Sequence, residues 1–99
     1  MQVKETREGE VIQLSVEGRV DTTTAPDLQK QILDSFQKVR HVVIDFMEVE
    51  YISSAGLRAL LLGQKTATSK GGSLKILNVN DSVKQVFDMS GFSKILTIE

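Results

Sequence analysis

The stretch that decides the fold is His41-Val42-Val43-Ile44-Asp45-Phe46, followed five residues later by Tyr51-Ile52-Ser53-Ser54-Ala55-Gly56-Leu57-Arg58. The first part is almost all apolar and rich in β-branched residues, which reads as a strand buried on both faces. Arg58-Ala59-Leu60-Leu61-Leu62 then brings strong helix formers at helical spacing. Two hydroxyls and a glycine therefore sit where a buried strand and a short loop give way to a helix. Several backbone N–H groups lack intrahelical partners at such a start, and the helix dipole makes it weakly positive. A serine there can cap the helix, present its hydroxyl to a partner, or carry a phosphate.

Working outward, Gln2–Arg7 alternates weakly, Glu8-Gly9-Glu10 signals a turn, and Val11–Val16 places Ile12, Leu14 and Val16 on one face. These predict an opening hairpin. Gly18–Pro26 reads as a loop entering a helix, with Thr24 as N-cap, Pro26 in the first turn and Asp27 favourable to the dipole. Ala25, Leu28, Ile32, Leu33, Phe36 and Val39 form that helix's apolar stripe. A second helix is expected over Ala55–Ser69, with Leu57, Leu60 and Leu61 inward, Gly63 and Ala67 permitting close packing, and Gly71-Gly72 closing it. Leu74–Leu77 is the next strand. Asn80 or Asp81 caps a third helix carrying Val83, Val86 and Phe87, closed by Gly91, and Ile95–Ile98 is a last strand. The order β-β-α-β-α-β-α-β predicts one α/β domain over residues 1–99, with a mixed, mostly parallel sheet of four to five strands and three to four helices.

Composition narrows the function. The chain has 99 residues, 40% hydrophobic and 25% charged, so it can bury a core and is not of disordered composition. A net charge of −1 carries no footprint for nucleic acid, and no basic block suits a membrane surface. The absence of Cys excludes disulfides, thiolate metal sites and cysteine nucleophiles. The first ten residues are polar rather than apolar, and no run approaches the roughly 20 residues that span a bilayer. The default expectation is a cytoplasmic protein, with no direct membrane insertion.

Each candidate site residue has a plain and a sharp reading. One of Ser53 and Ser54 can serve as N-cap while the other is a solvated loop residue. Yet two hydroxyls exceed what capping needs, and Gly56 inside the first turn costs about 1 kcal/mol relative to Ala. That glycine suggests a docking surface beside a reactive hydroxyl, with a side chain removed so that another backbone can approach. A hydrolase nucleophile is poorly supported: G-x-S-x-G is absent and the only His, His41, opens a strand. No His pair or H-x-x-x-H spacing points to a metal. Asp45 interrupts the apolar strand near its expected C-terminal end, where open α/β sheets place functional loops, or else caps a neighbouring loop. Asp21 either joins the site or bonds its own loop backbone; Glu48 and Glu50 are expected in solvent.

Taken together, Gly18-Arg19-Val20-Asp21, Val43-Ile44-Asp45-Phe46, Tyr51–Leu57, Gly71-Gly72 and Val86-Phe87-Asp88-Met89-Ser90-Gly91-Phe92 resemble, in order, the anti-sigma factor antagonists, bacterial proteins built on one STAS domain. The resemblance implies a non-enzymatic regulator without a cofactor of its own. It implies a partner that is both anti-sigma factor and serine kinase, bringing ATP and magnesium, and a PP2C-type phosphatase that resets the system. The serine two positions before the motif glycine is the family's phosphorylation site, which here is Ser54, with Ser53 as a second candidate. Unphosphorylated antagonist binds the kinase and frees sigma factor; phosphorylated antagonist lets go. The partner-binding surface so implied comprises Asp21, Thr22, Thr23, Ser53, Ser54, Ala55, Gly56, Leu57 and Arg58, with Asp45 near the phosphosite. The best-known members carry Asp before the serine and Ser or Thr after it, where this chain has Ser53 and Ala55. The alternative is a STAS adaptor in a signalling or transporter complex, bound whatever the state of Ser54.

Overall fold

The computed structural model describes residues 1–99. Its elements are β1 (Gln2–Glu8), β2 (Val11–Val20), α1 (Ala25–Phe36), β3 (His41–Ile52), α2 (Ser54–Lys70), β4 (Ser73–Leu77), α3 (Asp81–Ser90), a 3-10 turn (Phe92–Lys94) and β5 (Thr97–Ile98). The five strands stand side by side in chain order, β1 antiparallel to β2 and every later neighbour parallel. This is the expected element order, and three helices is the number observed.

Strands that advance in one direction through right-handed crossovers put all their helices on one face of the sheet. Burial follows that rule. Ile12, Leu14, Val16, Val42, Ile44, Phe46, Leu74 and Ile76 are fully covered and meet Leu28, Ile32, Phe36, Leu60, Val83 and Phe87 from the helices. The alternate residues Gln13, Ser15, His41, Val43, Asp45 and Lys75 are half-buried or exposed. The expectation of a strand buried on both faces is thus corrected: Val43 faces the open side, because no helix crosses it.

Two further boundaries differ. The supposed loop at Gly18-Arg19-Val20 is the end of β2, and the approach Glu48–Tyr51 is the end of β3. β3 carries extra residues where the register shifts between Ser15 and Glu17 and again between Gly18 and Arg19. Each bulge places one more residue on β3 than on its partner, so its buried positions run Val42, Ile44, Phe46, Val49, Ile52. Spacing of three hides a strand from any search for period two. The last strand is shorter than Ile95–Ile98: Ile95 and Leu96 donate their N–H groups back to Phe92, and Ile95 is 52% exposed.

Close packing at α2 is as expected. A Cβ on Gly63 would lie 2.8 Å from Ile32 Cγ2, so glycine lets α1 and α2 approach. Gly71, in the left-handed region at φ 69°, ends the helix. Phe46 and Phe87 stack with ring centroids 6.4 Å apart, locking α3 onto β3. Phe87→Ala is expected to cost about 3–5 kcal/mol, as truncation of a buried aromatic does, measured by urea unfolding.

Candidate functional site

β2 and β3 run parallel and end together. Their last rungs pair Arg19 with Tyr51 and Val20 with Ile52, after which the Ser53 N–H donates to the Val20 carbonyl at 2.8 Å. Both chains then leave the sheet at the same end, one into the Asp21 turn and the other into α2. The topology therefore brings the turn at Asp21, Thr22 and Thr23 out beside the Ser53-Ser54 helix start.

The Asp21 turn is tied by its own side chains. Asp21 Oδ1 accepts from the Thr23 hydroxyl at 2.7 Å, the Thr23 N–H at 3.0 Å and the Thr24 N–H at 3.2 Å. Thr24 is the residue before α1, but its hydroxyl does not cap the helix. It accepts from the Asp21 N–H at 2.9 Å, and its one proton is shared between the Arg19 carbonyl at 2.9 Å and Asp21 Oδ1 at 3.2 Å. The expected Thr24 cap is replaced by this turn, because its backbone sits at φ −103°, ψ −24° rather than in the extended region that capping geometry uses. The Thr23 hydroxyl chiefly holds the Asp21 carboxyl below its ordinary value; partial burial opposes this, and the Thr23 and Thr24 amides and Thr24 hydroxyl add to the lowering.

At the helix start the two serines divide. Ser53 is half-buried, with extended backbone at ψ 175°, and its hydroxyl accepts from the Gly56 N–H at 3.4 Å. Ser54 is the first helical residue, is exposed, and its hydroxyl makes no hydrogen bond within the chain. Arg58, one turn further along the same face, is exposed and takes part in no ion pair.

Three assignments change. Gly56 is buried, and a Cβ there would lie 2.7 Å from Ile52 Cγ1 and 2.8 Å from Val20 Cγ1. Its missing side chain lets α2 settle on the ends of β2 and β3, so it is not a surface that another backbone approaches. Leu57 is likewise only 6% exposed and belongs to the core. Asp45 lies in mid-strand, because β3 continues past it; at about 3.3 Å per residue Ile52 is roughly 20 Å further on. Its carboxylate accepts from the Met47 N–H at 2.9 Å and the Asn78 side-chain amide at 3.1 Å, the loop-capping role rather than a place beside Ser54.

Arg19 and Tyr51 form a pair that no sequence pattern marks. The guanidinium lies 4.3 Å from the Tyr51 ring centroid and 4.0 Å from Asp21, on the face opposite the buried Val20 and Ile52. Only the bulged register brings them opposite each other, and no local pattern carries that register. His41 stands at the other end of β3, its Nδ1 2.8 Å from the Ser73 hydroxyl, so it cannot serve Ser54 as a base. No cluster of three or more His, Asp or Glu side chains is placed to hold a metal ion, and no helix is long and apolar enough to cross a membrane.

Residues 2–99 match the family model of the STAS domain. The chain belongs to the STAS domain family. It is 30% identical to the anti-sigma-B factor antagonist of Listeria monocytogenes, the match covering 100% of this chain and 87% of that one. Against the anti-sigma-B factor antagonist of Bacillus subtilis the identity is 29%, covering 88% and 80%. The fold is also that of the Bacillus cell-fate determinant SpoIIAA in its phosphorylated form, with a TM-score of 0.77 at 18% identity over 99% of this STAS chain and 91% of the other. Anti-sigma factor antagonists of this family are regulators rather than enzymes.

Because the folded carboxyl of Asp21 titrates below its unfolded value, the turn's stabilisation is present above the unfolded value and is lost as pH falls through the lowered folded one. Thr23→Val is expected to raise the Asp21 pKa back toward the ordinary range, read by carboxyl-carbon NMR titration.

Proposed function

We propose that this STAS domain is an anti-sigma factor antagonist switched by phosphorylation at Ser54. In this reading the unmodified chain binds a cytoplasmic anti-sigma factor that is also a serine kinase, and sigma factor is freed. Phosphate on Ser54 ends that binding, and a PP2C-type phosphatase restores it. The observation that carries the reading is the division of labour at the helix start: Ser53 is used as the cap, while Ser54 is exposed with an unbonded hydroxyl. Between two adjacent candidates, only Ser54 can be modified without disturbing a helix cap.

The physical consequence of phosphate suits a switch of binding rather than of fold. It adds about −1.5 to −2 charge at neutral pH. In the free domain that charge sits in solvent at the positive end of α2, one turn from Arg58, where it is tolerated. Against a partner it must be desolvated next to Asp21, with Glu48 and Glu50 exposed on the adjoining strand. Moving a complex from nearly full to nearly empty needs about 5.5 kcal/mol, within reach of one buried dianion.

Two substitutions test this. Ser54→Ala is expected to leave stability within about 0.5 kcal/mol, as surface changes do, and to bind the kinase without release by Mg-ATP. Ser53→Ala removes the cap and is expected to cost about 1 kcal/mol while leaving phosphorylation intact. Phosphopeptide mass spectrometry on protein from its own host reads the site directly. Phosphate confined to Ser53, or release of Ser54→Ala by ATP, would overturn the assignment. Partner binding that persists with Ser54 never modified would make the chain a STAS adaptor instead.

A further inference from the structure

The five-stranded sheet has two edges of very different kinds. At one end β5 offers only Thr97 and Ile98. At the other, β1 pairs with β2 in an unbroken register from Gln2 opposite Glu17 to Glu8 opposite Val11, and nothing pairs with its outer side. Along these seven residues, without proline or bulge, every second one is thus left with its N–H and C=O directed outward. Charged side chains are the only protection on this edge, and their order is Lys4-Glu5-Thr6-Arg7-Glu8.

That order is self-complementary in one register. Two copies related by a twofold axis perpendicular to the sheet pair antiparallel, with the helices of both on the same side. Lys4, Thr6 and Glu8 then face the open side, while Glu5 and Arg7 face the helix side, because they stand opposite the buried Leu14 and Ile12. An axis through Thr6 puts Lys4 opposite Glu8 and Glu5 opposite Arg7, each twice. An axis through Lys4, Glu5 or Arg7 instead puts that residue against its own copy, like charge on like. Opposite charges directly across an antiparallel pair are favourable and like charges unfavourable.

The geometry points to a second copy of this chain as the partner of β1, joined edge to edge about Thr6 into a continuous sheet. Glu5 already has Lys38 at 3.5 Å within the chain, and the Arg7 Nε–H donates to the Gly9 carbonyl at 3.1 Å. Lys4 and Glu8 take part in no intrachain ion pair, so they set the register. One strand pairing buries little surface, and the dimer is weak and reversible. Its ion pairs are exposed and screened by salt. The inference does not depend on phosphorylation at Ser54, which lies on another element.

Sedimentation equilibrium on the intact protein, from micromolar to millimolar concentration and at low and high salt, tests it. The dimer fraction is expected to rise with concentration and fall with salt. Lys4→Glu and Glu8→Lys, each placing like charges across the axis, are expected to weaken the dimer at least tenfold, and the double exchange to restore it. Circular dichroism melts of all three variants show whether the fold is kept. A monomer at every concentration overturns the proposal. So does a dimer indifferent to both single changes, or one that the double exchange fails to rescue, which would place the contact in another register or on another surface.

Discussion

Everything at the candidate site depends on two parallel strands ending level. The hydrogen bond from the Ser53 N–H to the Val20 carbonyl is the last tie between β2 and β3. Beyond it the Asp21 turn and the start of α2 emerge side by side, although they are some thirty residues apart in the chain. Parallel strands present their C-terminal ends together, and loops there converge whatever their sequence distance. Level ends are not automatic, because β3 has more residues than β2 over the shared length. The two bulges take up the excess, and without them Ile52 would overshoot Val20 and Ser54 would be carried away from Asp21.

The packing beneath makes that arrangement stiff. Gly56 has no side chain where α2 meets Val20 and Ile52, so the first helical turn lies directly on the strand ends. Leu57 goes into the core one residue later. Under the proposed switch, a helix start held this closely would keep its place if Ser54 gained a phosphate. Charge itself, rather than movement, is what a partner at this surface would read, and the rigidity follows from the same glycine that costs the helix some propensity.

Most of the architecture was legible because local signals agreed with the global result. The stripe on α1, Gly71 and Gly91 at helix ends, and Asn80 as the cap of α3 all mark the elements found. Failures occurred where one local rule gave way to a nonlocal one. Val43 is apolar yet faces the open side, because coverage is set by crossover handedness and not by the strand's own residues. Val49 and Ile52 follow Phe46 at intervals of three, which reads as no strand at all unless bulges are allowed. Arg19 over Tyr51 depends on that bulged register and was invisible for the same reason. Asp45 reads as a strand-end residue only if β3 stops at Phe46; the strand runs on to Ile52 and leaves it mid-strand.

The serine pair shows the limit of sequence most sharply, since residue type is identical and position differs by one. Ser53 has extended backbone and points its hydroxyl back at the Gly56 amide; Ser54 has entered the helix and points its own outward. A cap must sit just before the first helical turn, and the helix boundary decides which serine that is. Here the boundary follows the Ser53 N–H closing the β2–β3 ladder, so the hydrogen bond that ends the ladder also commits one serine and frees the other. Had β3 ended one residue later, Ser54 would have become the cap and Ala55 the first exposed helical residue, with no hydroxyl left to offer.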